Sequence, residues 1–286
     1  MAAITTFSKQ TLDVPGAKLY YEVRGSGPVL LMMPGGPADA TTFRHIENDL
    51  AKKYTVVTYD PRTYSHSQCT EPVDDARMVD IFADDASRIL KQVAGDSKSC
   101  VFASSGGAVI ALDLIVKHPE QVETAIIHEP PSPSLQPDVE KIRDAMVHVC
   151  GTCERDGLFP AMQEFMVLVG LQGGPPQAGP EHEPTAEEKE QQALMMGNMQ
   201  YFFGRYIGNI ARFEPDIEAL KSSPVGIVPA IGAESNDGQL ACVGGKYLAK
   251  YLDSPVAVFP GDHGGFAGRP VEFAAKLLEV LDGSRV

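Results

Sequence analysis

The stretch that most restricts how this chain folds begins at Lys98. A short apolar run, Cys100-Val-Phe-Ala103, stops at Ser104-Ser-Gly-Gly107, and apolar residues then recur with helical spacing at Val109, Leu112, Ile115 and Val116. That change of period is the signature of a strand, a sharp turn and a helix. The apex of such a turn is forced into strained backbone geometry, its side chain stands clear of the sheet, and the amide after it lies at a helix N-terminus. Ser105 is the apex. The residues two before and two after must be small because strand and helix cross closely, and Ala103 and Gly107 satisfy this. On its own Ser-Ser-Gly-Gly also describes a flexible turn. The flanking strand and helix, together with an earlier glycine loop, shift the reading toward a nucleophile.

The rest of the chain alternates in the manner of a parallel sheet. Lys18 to Val23, rich in aromatic and branched residues, and the turn Arg24-Gly-Ser-Gly-Pro28 suggest an opening hairpin. Val29-Leu-Leu-Met-Met33 is a continuous apolar run, as expected of a strand covered on both faces, and it ends at Pro34-Gly-Gly-Pro37. A helix is expected over 41–52, a strand over 55–59, a helix over 79–93, a strand over 124–128 ending in His128-Glu129-Pro-Pro131, and a last strand over 256–259. The loop Pro260-Gly-Asp-His-Gly-Gly-Phe266 leaves that strand before a final helix over 271–281. Residues 132–214 break the rhythm. Three apolar or amphipathic helices are expected there, over 139–150, 158–171 and 186–210, with a glycine- and proline-rich loop over 173–184.

With these residues in view, the chain resembles the α/β-hydrolase fold superfamily over nearly its whole length apart from the middle. The turn reads Ala-x-Ser-x-Gly, one residue short of the Gly-x-Ser-x-Gly of many relatives. The resemblance implies an α/β-hydrolase fold with a mostly parallel central sheet flanked by helices. Residues 1–131 and 216–286 would form the core and 132–215 an inserted helical cap. It implies Ser105 as nucleophile, His263 as general base, and an oxyanion hole built from the amides of Gly36 and Gly106. Two acids compete for the third place. Most members take it from the turn after a later strand, where Glu234 stands with Asp237 close behind. A subgroup that includes the zearalenone-type lactonases takes it from the strand after the nucleophile helix, with a similar Ser-Ser-Gly turn and a strand ending His-Glu-x-Pro. Glu129, 24 residues after Ser105, fits that second position and is preferred.

Around this centre Gly35, His128, Met199 and Phe203 are candidate substrate contacts, the last two because the stretch from Met195 to Tyr206 is more apolar than one buried stripe requires. An ordinary helix seam fits those residues equally well. Asp60 and Arg62 suggest a local charge-assisted bond, in a loop where Thr63 takes a position that relatives give to glycine. The expected activity is cleavage of an ester or lactone of a small, largely apolar molecule. A carbon–carbon bond hydrolase of the same fold and a weakly catalytic, receptor-like binder are the alternatives. No cofactor or metal is expected; Cys150-Gly-Thr-Cys153 lacks a second ligand pair at suitable spacing.

Composition narrows the partners. Thirty-eight acidic residues against 24 basic ones give a formal charge of −14, which disfavours nucleic acid and anionic membranes. The hydrophobic fraction of 43% contains no run long enough to span a bilayer. Five scattered cysteines and an N-terminus without a signal pattern make the cytoplasm the expected location. A homodimer is left open.

Overall fold

A computed structural model gives the structure of residues 7–170 and 185–283. In chain order the elements are β1 (Phe7–Val14), β2 (Ala17–Gly25), β3 (Val29–Met33), α1 (Glu47–Leu50), β4 (Thr55–Tyr59), β5 (Gln68–Cys69), α2 (Met78–Ala94), β6 (Ser99–Ser104), α3 (Gly106–Lys117) and β7 (Val122–His128). They continue with α4 (Val139–Asp156), α5 (Leu158–Leu168), α6 (Ala186–Tyr201), α7 (Ile207–Arg212), α8 (Ile217–Ser222), β8 (Gly226–Gly232), α9 (Leu240–Tyr251), β9 (Ala257–Phe259), α10 (Gly265–Gly268) and α11 (Pro270–Gly283).

The strands form one sheet in the order β1-β2-β4-β3-β6-β7-β8-β9, with β5 paired to β2. From β4 to β9 every pairing is parallel, and β2 is antiparallel to both β1 and β4. The opening hairpin therefore pairs β2 with the preceding β1, and the turn over 24–28 carries the chain past β4 rather than back onto β2. Every residue of β3 and β6 is buried, which is why these strands read as unbroken apolar runs. Alternate residues serve opposite faces. Leu31, Met33, Val101 and Ala103 pack with α2 and α3, while Leu30, Met32, Cys100 and Phe102 pack with α1 and α11.

Two expectations of length change. The run over 41–52 is mostly turns, with only the single helical turn α1. The long apolar stretch over 186–210 is α6 and α7 joined through a π-turn at Phe202–Tyr206. The helices α4 to α7 leave the sheet after β7, and the chain returns to it at β8. The expected loop over 173–184 lies outside the described residues. Among the described residues no helix is long and apolar enough to cross a membrane, and the five cysteines are free.

Candidate active site

Ser105 stands between β6 and α3 with φ +58° and ψ −129°. A non-glycine residue holds this conformation only when its surroundings over-determine it. They do so here: the Ser105 amide donates to the His128 carbonyl at 2.9 Å, and the Ser105 carbonyl accepts the first helical bonds of α3 from Ala108 and Val109. The crossing is as close as the sequence implied, since a Cβ on Gly107 would stand 2.4 Å from the Pro34 carbonyl oxygen. Gly35 is equally confined, its Cβ position lying 2.5 Å from the Ser104 carbonyl oxygen and 2.6 Å from the Gly106 nitrogen. The glycine loop is thus pressed onto the turn. The Gly36 and Gly106 amides donate no hydrogen bond among the described residues, and both glycines line the same cavity as Ser105.

One residue past β7, Glu129 also has a left-handed backbone, φ +50°, and is fully buried. Its Oε1 accepts the Gly232 amide at 2.9 Å, and its Oε2 lies 2.5 Å from His263 Nδ1. Burial alone would raise the Glu129 carboxyl. The His263 hydrogen bond, the two neighbouring imidazoles and the Gly232 amide outweigh it and hold the group at about 2, so it is ionised. A carboxylate at Nδ1 keeps the proton on that nitrogen and leaves Nε2 as the acceptor. His263 lies in the loop between β9 and α10 with a side chain 39% exposed, and it too lines the cavity.

The rival acid is elsewhere. Glu234 is half exposed and pairs with Arg269 at 2.5 Å, and Asp237 pairs with Lys246 at 2.6 Å. Among the described residues neither bonds His263. His128 is not a cavity residue. It is completely buried, its Nδ1 is 3.0 Å from Ser104 Oγ, and its ring stacks on that of His263 with centroids 6.0 Å apart. Arg62 does not reach Asp60. It forms a bidentate pair with buried Asp85, at 2.8 and 2.7 Å, while Asp60 accepts the Ala40 and His66 amides. Thr63 takes φ +76°, the conformation for which glycine is suited.

Donor atoms of His128, Glu129 and His263 lie within 4.8 Å of one another. Both Glu129 oxygens and His263 Nδ1 are already engaged within the protein, by the Gly232 amide and by each other.

The cavity has a volume of about 420 Å³. Met199 and Phe203 line it, together with Phe202, Tyr206, Met146, Met162, Phe165 and Met166 from α4 to α7 and Phe43, Leu240 and Phe266 from the core. Among the described residues no Asp, Glu, Lys or Arg lines it. Met195 and Met196 face solvent, so the apolar stretch is divided between cavity and surface. The methionines of α4 and α5 and the core residues had no local pattern to mark them. Tyr206 reads in the sequence only as part of an apolar stretch, and its hydroxyl stands 2.6 Å from where a Cβ on Gly106 would be.

A parallel sheet carrying a strained serine between strand and helix, with a histidine–carboxylate pair at the ends of two other strands, defines the α/β-hydrolase class. The sequence pattern of the alpha/beta hydrolase fold family matches residues 28–149. The uncharacterized hydrolase YraK of Bacillus subtilis is 35% identical over 286 residues, covering 97% of this chain and 97% of that protein. This chain belongs to the α/β-hydrolase family. Solved structures agree in fold. An esterase from Thermogutta terrifontis superposes with a TM-score of 0.71 at 18% identity, over 98% of this chain and 100% of that one. An enol-lactonase from Burkholderia xenovorans does so with a TM-score of 0.66 at 16% identity, over 96% and 100%.

Proposed function

We propose that this hydrolase cleaves ester or lactone bonds of small, neutral, largely apolar molecules through an acyl-enzyme. The observation that carries the reading is that Ser105, Gly36, Gly106 and a carboxylate-anchored His263 all line one apolar cavity. Ser105 Oγ attacks the carbonyl carbon while His263 Nε2 takes its proton. The Gly36 and Gly106 amides stabilise the oxyanion. Collapse of the tetrahedral adduct breaks the bond to the leaving alkoxide, which takes the proton back from His263, and water repeats the sequence to free Ser105. Glu129 fixes the tautomer throughout. A serine at this position supports an acyl-enzyme, whereas the epoxide-hydrolase and dehalogenase branches of this fold need a carboxylate nucleophile. The position of Glu129 after β7 supports a likeness to the zearalenone-type lactonases.

Among the described residues the wall offers no Lys or Arg to pair with a substrate carboxylate, which favours uncharged acyl groups. The test is a series of p-nitrophenyl esters from acetyl to decanoyl beside macrolactones. We expect kcat/KM to rise by on the order of threefold per methylene until the cavity is full. Highest turnover on an ester bearing a free carboxylate, or tight binding of every candidate without turnover, would contradict the proposal.

A further inference from the structure

Helix α6 is unusual in what anchors it. Of its sixteen residues only Asn198 is buried, although the helix also carries Met195 and Met196, which face solvent. A helix seated by its apolar stripe buries several such residues; in this one Met199 and Tyr201 are half-buried against the core and the one fully buried side chain is an amide, which is fully engaged. Asn198 Oδ1 accepts the Ser65 amide at 2.7 Å, and Nδ2 donates to Ser65 Oγ at 2.9 Å and to the Pro37 carbonyl at 3.4 Å. Ser65 Oγ in turn donates to Asp39 Oδ2 at 2.7 Å, and Asp39 Oδ1 accepts the Thr41 amide at 2.9 Å and its hydroxyl at 2.7 Å. Both ends of this relay grip the segment 37–41, which follows Gly36 directly. Ser65 keeps a left-handed φ of +45°, a conformation that a non-glycine residue holds only under such constraint. The next residue of α6, Met199, lines the cavity.

We propose that Asn198 is a positioning residue for the oxyanion loop. Through Pro37 directly and Ser65–Asp39 indirectly, it fixes the Gly36 amide relative to the Gly106 amide. The seating of α6 over the substrate is thereby tied to the ability of Ser105 to form a stabilised tetrahedral adduct. The inference rests on the serine-hydrolase reading for its kinetic consequence, but the latch itself is testable without any chemistry.

Asn198→Leu removes all three bonds at similar volume, and Asn198→Asp keeps the acceptor for the Ser65 amide while losing both donors. A misplaced oxyanion donor weakens the transition state and leaves ground-state binding alone. We expect kcat to fall on the order of 10- to 100-fold in Asn198→Leu, and less in Asn198→Asp, with KM within about twofold. Affinity for a trifluoromethyl ketone bearing the best acyl chain, which forms a hemiketal oxyanion on the serine, should fall in parallel with kcat/KM, while affinity for the product alcohol stays unchanged. Amides of residues 35–41 should exchange hydrogen faster in both variants, with β6 and α3 unaltered. If Asn198→Leu does not fold, Ser65→Ala cuts the same relay and is read in the same way. Unchanged exchange over 35–41, or a loss confined to KM with ketone affinity intact, overturns the proposal. Faster exchange in an enzyme whose ester turnover survives Ser105→Ala upholds the latch and refutes only the nucleophile.

Discussion

Ser105 and Glu129 share an unusual feature for non-glycine residues: each lies just past the end of a central strand, and each has positive φ, +58° and +50°. Such conformations cost on the order of 1–3 kcal/mol each and gather at functional sites. Removing a hydroxyl at the turn apex takes away little packing, so Ser105→Ala should melt within a degree or two of wild type while losing on the order of 10³-fold or more in ester turnover. Glu129→Gln should cost on the order of 10⁴-fold through the wrong imidazole tautomer, whereas Glu234→Gln, which disturbs only an exposed pair with Arg269, should cost tenfold or less. Steady-state rates of the two amide variants, measured where imidazole is neutral, separate these positions. Acid stability has its own signature. Burial holds the His128 imidazole down at about 4 from its ordinary 6.5, so unfolding releases a group that takes up a proton, and stability falls as pH drops from about 6.5 to about 4. Glu129, held at about 2 from 4.5, contributes stability that is complete above 4.5 and is lost as pH falls toward 2. The first window amounts to on the order of 3 kcal/mol. His128→Gln should therefore flatten the fall in melting temperature between pH 6.5 and 4.5. At this scale the sequence made Ser105 legible because its signal is local, with small residues at fixed offsets. The two acids were left in competition because the choice depends on which carboxylate reaches across the sheet. Arg62, in the loop after β4, could not be matched to Asp85, which lies on helix α2 23 residues away.

Elements carry the next layer. The sheet core was legible because strands covered on both faces have no polar alternation, as β3 and β6 illustrate. The run over 41–52 misled because Phe43, Ile46 and Leu50 are spaced as on a helix face, yet they pack into the core from a chain that is mostly turns. The π-turn at Phe202–Tyr206 had no cue in composition; it inserts an extra residue into the helical register and leaves Phe202, Phe203 and Tyr206 all on the cavity wall. Asn198 was invisible for a related reason, since a lone asparagine late in a helix looks like a solvent-facing residue until its partners, 133 and 161 positions away, are known. Since Met199 and Phe203 line the cavity, Met199→Ala or Phe203→Ala should change the ranking of esters by chain length more than the rate on the acetyl ester. A fall in melting temperature with the ranking intact would remove them from the list of substrate contacts.

On the scale of the whole molecule, the fold gathers residues from opposite ends of the sequence at one edge of the sheet. The glycine loop after β3, the turn after β6, the carboxylate after β7 and the histidine after β9 all follow the C-terminal ends of parallel strands, where active sites of such sheets gather. Apolar side chains of α4 to α7 line the cavity over that edge, a setting in which, on the proposed function, the two amides and the Glu129–His263 pair would act more strongly than in water. Glu129 is the acidic residue of this arrangement; among the described residues no Asp or Glu lines the cavity itself. Whether Ser105 is the covalent nucleophile is decided by rapid acid quench of the protein with an excess of its best p-nitrophenyl ester, followed by intact-mass and peptide mass spectrometry. One acyl group is expected on the peptide containing Ser105, formed in a burst with released p-nitrophenol and missing from Ser105→Ala; an acyl group on another residue, or undiminished turnover in Ser105→Ala, would refute that role.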